Sequence, residues 1–127
     1  MSVRHLYLIA VAAILGCAPA GGTPGTSTAP RRSNVLTDEE IVAVRADITN
    51  VYDAVARLRP NWLAPHGSMG YAMVFVDGQQ YGDLNSLRNI QAYHVADIRY
   101  YNSAEAGGKF GLRGGTGGVI EIRTRTR

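Results

Sequence analysis

Apolar residues along the chain fall into separated groups whose spacings differ. Residues 6–15 form a nearly unbroken apolar run that gives way to Pro19, Gly21, Gly22 and Pro24. That run is too short to span a bilayer, which takes about 20 apolar residues. Beyond a stretch rich in Gly, Pro, Ser and Thr, the residues Ile41, Val44, Ile48, Val51, Val55 and Leu58 recur at alternating spacings of three and four. This is the period of one helix face. Thr37-Asp38-Glu39-Glu40 supplies a capping box at its start, and Pro60 ends it, because the residue before a proline is pushed out of the helical region. Thr49-Asn50 is itself a cap sequence, so the stripe predicts either one helix or two shorter ones with a break there. It covers fewer than four heptads, which favours a helix laid on a sheet over a coiled-coil seam.

The second half of the chain changes period. Residues 71–77 are apolar and partly β-branched and are followed by Asp77-Gly78, the pair a tight turn demands, so they predict a buried strand ending in a turn. Gly82-Asp83-Leu84 opens a short helical or looped stretch with Leu84, Leu87 and Ile90 facing inward. Residues 95–101 read as a second strand. Ser103 is placed to cap one turn over Ala104-Glu105-Ala106, and a glycine-dense loop, residues 107–118, follows. Residues 119–124 read as a third strand at a sheet edge, with Ile120, Ile122 and Thr124 alternating against Glu121, Arg123 and Arg125. The predicted class is α+β: a small mixed sheet with one or two packed helices.

Cys17 is the sole cysteine, and its position changes the picture of the N-terminus. Arg4 and His5 precede the apolar run, and Ile14-Leu15-Gly16-Cys17 ends it, the order of an export leader. The segment resembles the lipobox of bacterial lipoproteins, with Leu15 bulkier than the usual small residue. The resemblance implies a leader over residues 1–16, a diacylglyceryl thioether on Cys17, and a flexible tether over residues 17–34. The alternatives are an ordinary secretory leader cleaved near Ala18 or Ala20, and an uncleaved anchor. Each exports the chain, and without a second cysteine no disulfide can staple the domain. By analogy with lipoproteins in general, the absence of aspartate after Cys17 points to the outer membrane and a periplasm-facing domain. Residues 18–34 hold almost no large apolar side chain and cannot offset their own ordering entropy. Arg31 and Arg32 there read as a solvated linker pair, with anionic headgroups as the alternative contact.

The order of segments in residues 35–127 has a further likeness. Phe75-Val76-Asp77-Gly78, then residues 87–90, then Val95-Ala96-Asp97-Ile98-Arg99-Tyr100-Tyr101, then Phe110-Gly111 and Gly117-Gly118-Val119-Ile120-Glu121-Ile122-Arg123-Thr124 resemble the plug domain of TonB-dependent outer-membrane receptors. Val51-Tyr52-Asp53-Ala54-Val55 is similar to the helix preceding the plug strands. The resemblance implies a plug-like fold and an association with envelope transport, with Asp77, Gly78, Gly111, Gly117 and Gly118 as architectural positions. Two departures qualify it. The sequence stops at Arg127 where a receptor continues into barrel strands, so the expectation is a plug-like domain without a pore of its own. Asn102-Ser103 stands where family plugs often carry lysine and glycine.

Charge and motif chemistry exclude more than they assign. Thirteen basic residues against ten acidic leave a formal +3, too little to argue for nucleic acid, and a single Arg113-Gly114-Gly115 does not alter that. Gly108-Lys109-Phe110 fails the spacing of a phosphate-binding loop. Ser68 in Gly67-Ser68-Met69-Gly70 is not a nucleophile elbow. His66 and His94 lack companions at metal-ligand spacing. No nucleophile, base and orienting group occur together, so no enzyme, cofactor or metal is expected. Trp62, Tyr71, Tyr81, Tyr93, Tyr100 and Tyr101 remain, with flat faces and polar tips suited to a partner or a sugar. The plainer reading packs Trp62 and one tyrosine of each strand in the core. Trp62, Tyr81, Tyr101 and Arg113 are the candidate contacts, for an envelope transport protein or, alternatively, a small ligand such as a glycan or siderophore.

Overall fold

A computed structural model describes residues 33–126; Cys17, the leader and the tether up to residue 32 lie outside the described residues. The fold is α+β, as the periodicities predict, with a five-stranded mixed sheet. Strand β1 is Val35–Leu36. Helix α1 spans Asp38–Ala43 and helix α2 Val51–Leu58. Strands β2, Met73–Val76, and β3, Gln79–Gly82, form a hairpin. Strand β4, Val95–Tyr101, helix α3, Ser103–Phe110, and strand β5, Val119–Thr124, follow. The strand order is β1-β4-β5-β2-β3. Only the β2/β5 pair is parallel.

The apolar stripe of residues 41–58 is divided between two helices. Thr37 and Glu40 form the capping box of α1, with Thr37 N donating to Glu40 Oε2 at 3.1 Å and Glu40 N donating to Thr37 Oγ1 at 3.4 Å. The chain then leaves the α-helix at Val44, passes through a short 3₁₀ turn at Arg45–Asp47 and restarts at Asn50, whose side chain accepts from Asp53 N at 3.0 Å. A side chain that caps competes with helix continuation, and here the cap wins.

Helices α1 and α2 cover one face of the sheet. Leu36, Val51, Val55, Trp62, Val74, Leu87, Ile98, Ile120 and Ile122 meet there in the main core, each large aliphatic contributing about 1.5–3 kcal/mol by leaving water. Helix α3 covers part of the other face, where Phe75, Ala106, Phe110 and Val119 form a smaller cluster flanked by Met73 and Tyr101.

Several expected features take a different form. Strand β5 is not an edge but lies between β4 and β2, so it is buried on both sides and Glu121, expected on the solvent side, is only 7 % exposed. The real edges are β1 and β3, neither of which shows a strand pattern in the sequence. The turn expected after Ser103 is a full helix capped instead by Asn102, which accepts from Glu105 N at 3.0 Å while Glu105 Oε2 accepts from Asn102 N. Part of the expected glycine loop is therefore helical, with Gly107 and Gly108 inside α3 and Gly111 as its C-cap.

Two glycine positions are set by the backbone, one by a left-handed turn and one by a close approach. Asp77 (φ 48°) and Gly78 (φ 81°) are both left-handed, the conformation of a type I′ hairpin, which glycine adopts freely. At Gly117 a Cβ would fall on the carbonyl of Tyr71. Only glycine lets the approach to β5 pass that backbone.

Candidate functional site

The candidate contacts named from sequence do not converge. Trp62 is 1 % exposed, stacked on Tyr100 with ring centroids 5.7 Å apart, and part of the main core. It offers no face to a ligand, as the plainer reading has it. Tyr100 Oη lies 2.9 Å from His66 Nε2, and burial, with the charge of Glu105 second, holds its phenol above the ordinary value. Tyr101 points to the opposite face of the sheet, as adjacent strand residues must. Tyr81 is half exposed on β3, and Arg113 is exposed in the turn after α3.

Tyr101 belongs to a charged network beneath α3. Lys109 Nζ, from the last turn of the helix, lies 2.6 Å from Glu121 Oε2 and 2.7 Å from Tyr101 Oη. Tyr101 Oη also donates to Glu121 Oε2 at 3.0 Å. Burial pulls the Lys109 ammonium down, but its bonds to Glu121 and Tyr101 outweigh that and hold it above the ordinary lysine value. Both donors meet at Glu121 Oε2, so the buried charge is paired and hydrogen-bonded, as burial requires. The pair joins helix α3 to the sheet.

Sequence reasoning passed over Arg59, the other buried polar side chain, at 6 % exposure. Its guanidinium donates to the carbonyls of Ser33 at 3.2 Å, Leu58 at 2.9 Å and Val35 at 3.4 Å, and to Glu40 Oε1 at 2.9 Å. It straps β1 to α1 and α2. The only sequence signal was its place before Pro60. Asp77, read as a turn former, also accepts from Thr124 N at 2.9 Å and Thr124 Oγ1 at 2.6 Å. Those bonds hold its carboxyl below the ordinary aspartate value and lock the hairpin turn to the end of β5.

The open surface that suits a ligand or partner lies elsewhere. A groove of about 350 Å³ is lined by Tyr52, Leu63, Tyr71, Asp83, Leu84 and Asn85. Asp83 is fixed by capping the following 3₁₀ turn, its Oδ1 accepting from Asn85 N at 3.0 Å. The Arg88 guanidinium sits 3.7 Å over the ring of Tyr52. Tyr71 is 60 % exposed. Apolar rings with a carboxylate and an amide beside them provide both stacking and orientation. A second groove of about 370 Å³, lined by Ile41, Arg45, Ile48, Thr49, Ala92 and Tyr93, has no carboxylate or amide.

Among the described residues there is no cluster of three or more potential metal ligands, and no helix long and apolar enough to cross a membrane. Comparison with protein-family models, curated proteins and solved structures finds no match for the chain. The class is a small α+β domain with an open aromatic groove beside an edge strand.

Proposed function

We propose that the chain is a lipid-anchored protein of the outer membrane, held by Cys17 and facing the periplasm, whose plug-like domain is a non-catalytic binding module associated with envelope transport. The observation that carries the binding role is the groove of Tyr52, Tyr71, Asp83 and Asn85, which directly follows β3, an edge strand paired on one side alone. An unpaired edge offers backbone donors and acceptors to a partner strand, and the adjoining groove offers side-chain specificity. The plug likeness of the sequence supports the transport context. A lipid anchor would confine the domain to the plane of such a partner and raise its effective concentration.

A photo-crosslinking amino acid in place of Tyr81, carried by the full chain in cells, tests this reading. The expected adduct is an outer-membrane transport protein; recovery of the full chain without any adduct to an envelope transport component refutes it. The alternative, capture of a glycan or siderophore, is favoured by the groove volume, which lies in the range of small-molecule sites, about 300–1,000 Å³. It predicts a ligand-induced rise in thermal stability that Tyr71→Ala and Asn85→Ala abolish without unfolding the domain.

A further inference from the structure

We propose that the groove between Arg45 and Tyr93 is a second binding site, and that it takes a single-chain amphiphile with a carboxylate head, a medium-chain fatty acid. It is lined by Ile41, Arg45, Ile48, Thr49, Ala92 and Tyr93, has a volume of about 370 Å³, and shares no lining residue with the groove at Tyr52 and Tyr71. The break between the first two helices makes one wall. Arg45 stands in the 3₁₀ turn after α1, and the chain is extended at Ile48 before α2 begins. The other wall is Ala92 and Tyr93, in a 3₁₀ turn that leads into β4. Ala92 N donates to the carbonyl of Thr49 at 3.2 Å, and Val51 N to that of Ile90 at 2.9 Å. The walls are thus tied to each other by backbone, and the site is pre-formed, as small-molecule sites usually are.

The lining says what kind of body fits. Ile41 and Ala92, 3 % and 6 % exposed, form the floor, and the ring of Tyr93, 55 % exposed, forms an open side. Ile48 is half-buried and packs on the main core. Backbone groups along the walls are already bonded. Thr49 N donates to Asp53 Oδ2 at 3.3 Å, the Thr49 carbonyl accepts from Ala92 N, and the Ala92 carbonyl accepts from Val95 N. A peptide strand would find few partners there for its own N–H and C=O groups, whereas an alkyl chain needs none. The volume sits at the low end of the range for small-molecule sites, about 300–1,000 Å³, which suits one chain rather than the two of a phospholipid.

Arg45 says what head. It is exposed and makes no ion pair among the described residues. Asp47, two residues away, is held by Arg57 at 2.9 Å, and Asp38 is held by Arg125. The guanidinium in the groove is therefore left to an anion from outside, and its paired donors match a carboxylate. An apolar body ending in one anion complements an apolar groove that carries one cation.

The test uses the full chain with its native processing, in the presence of phospholipid nanodiscs, and methyl NMR with hexanoate and octanoate as probes. The expected result is saturable shifts of the Ile41 and Ile48 methyls and none at Val119, which lies in the cluster under α3, with affinity rising about two- to threefold per added methylene. Arg45→Gln, at an exposed position, should keep the fold and weaken octanoate about three- to tenfold while leaving neutral octanamide unchanged. Thr49→Phe, which fills the groove, should abolish binding of both. Shifts that do not saturate, equal affinity for the two acids, or an Arg45→Gln variant that binds octanoate like the parent overturn the proposal. So does doxyl-labelled phospholipid that broadens the Ile41 and Ile48 methyls before any acid is added, since the occupant is then the bilayer. None of these readouts requires an acylated Cys17 or a partner on β3, so failure here leaves the transport reading standing.

Discussion

Lys109→Met isolates the ion pair under α3. Methionine keeps an unbranched stem against Tyr101 and Phe110, whose rings lie 4.5 and 5.1 Å from the ammonium, and removes only the charge. Glu121, with its side chain 9 % exposed, is then left with the Tyr101 hydroxyl as its one remaining side-chain donor. Breaking a fully buried pair costs about 3–5 kcal/mol. The Lys109 side chain is 45 % exposed, so solvent screens the attraction and the expected loss falls to about 1–3 kcal/mol. Urea unfolding of Lys109→Met, Glu121→Gln and the double variant gives the coupling directly.

Its pH dependence has a definite sign. The folded state raises the Lys109 pKa above the ordinary 10.5, so the protonated lysine favours folding below that value, and the gain fades as pH rises through the higher folded-state value. The gap between parent and Lys109→Met should therefore be full at pH 7 and shrink in strong alkali, above 10.5. A gap under about 0.5 kcal/mol at pH 7, the size of an ordinary surface substitution, would refute the claim that Glu121 depends on Lys109.

Two other predictions concern backbone and turn. Gly117→Ala forces a Cβ onto the Tyr71 carbonyl and should cost at least about 3 kcal/mol, whereas Gly108→Ala, inside α3 with nothing within 4 Å of the added Cβ, should stabilise by about 0.5–1 kcal/mol; thermal denaturation that ranks them otherwise contradicts the packing described. Asp77→Ala removes both bonds to Thr124 and places a less tolerant residue at φ 48°, for an expected loss of about 1–3 kcal/mol. Because those bonds lower the Asp77 pKa from 3.8, their contribution is present above that value and disappears as pH falls through the lowered one, so acid titration of unfolding should narrow the gap between variant and parent to its pH-independent backbone part.

How far the fold is legible in the sequence depends on where each element sits. The β4 and β5 boundaries can be read directly, since both strands keep their β-rich runs to the ends of their pairing. The helix stripe is legible too, and Asn50 resolves one helix or two through a single side-chain bond. Strand β3 is hidden because Gln79, Gln80 and Tyr81 are all exposed and show no buried alternation. Strand β1 has two residues, too few for any period. The burial of Glu121 is invisible locally, because it arises from Lys109 and Tyr101 closing over β5 from other segments. The groove is likewise assembled from Tyr52 on α2, Leu63, Tyr71 and the turn after β3, separated along the chain and joined only by folding. Trp62 and Tyr101 show that aromatic type alone does not distinguish a contact residue from a core one.

The central place of β5 bears on when the molecule can assemble. Four strands precede it in the chain, yet β4 and β2 have no other bridge between them. A polypeptide emerging from its N-terminus must therefore hold two half-sheets open until residues 119–124 arrive to zip them, and early closure of β4 on β2 would be a trap. Non-local pairing of this kind slows folding. For a chain threaded through a membrane in extended form, that delay would keep it loose enough to pass.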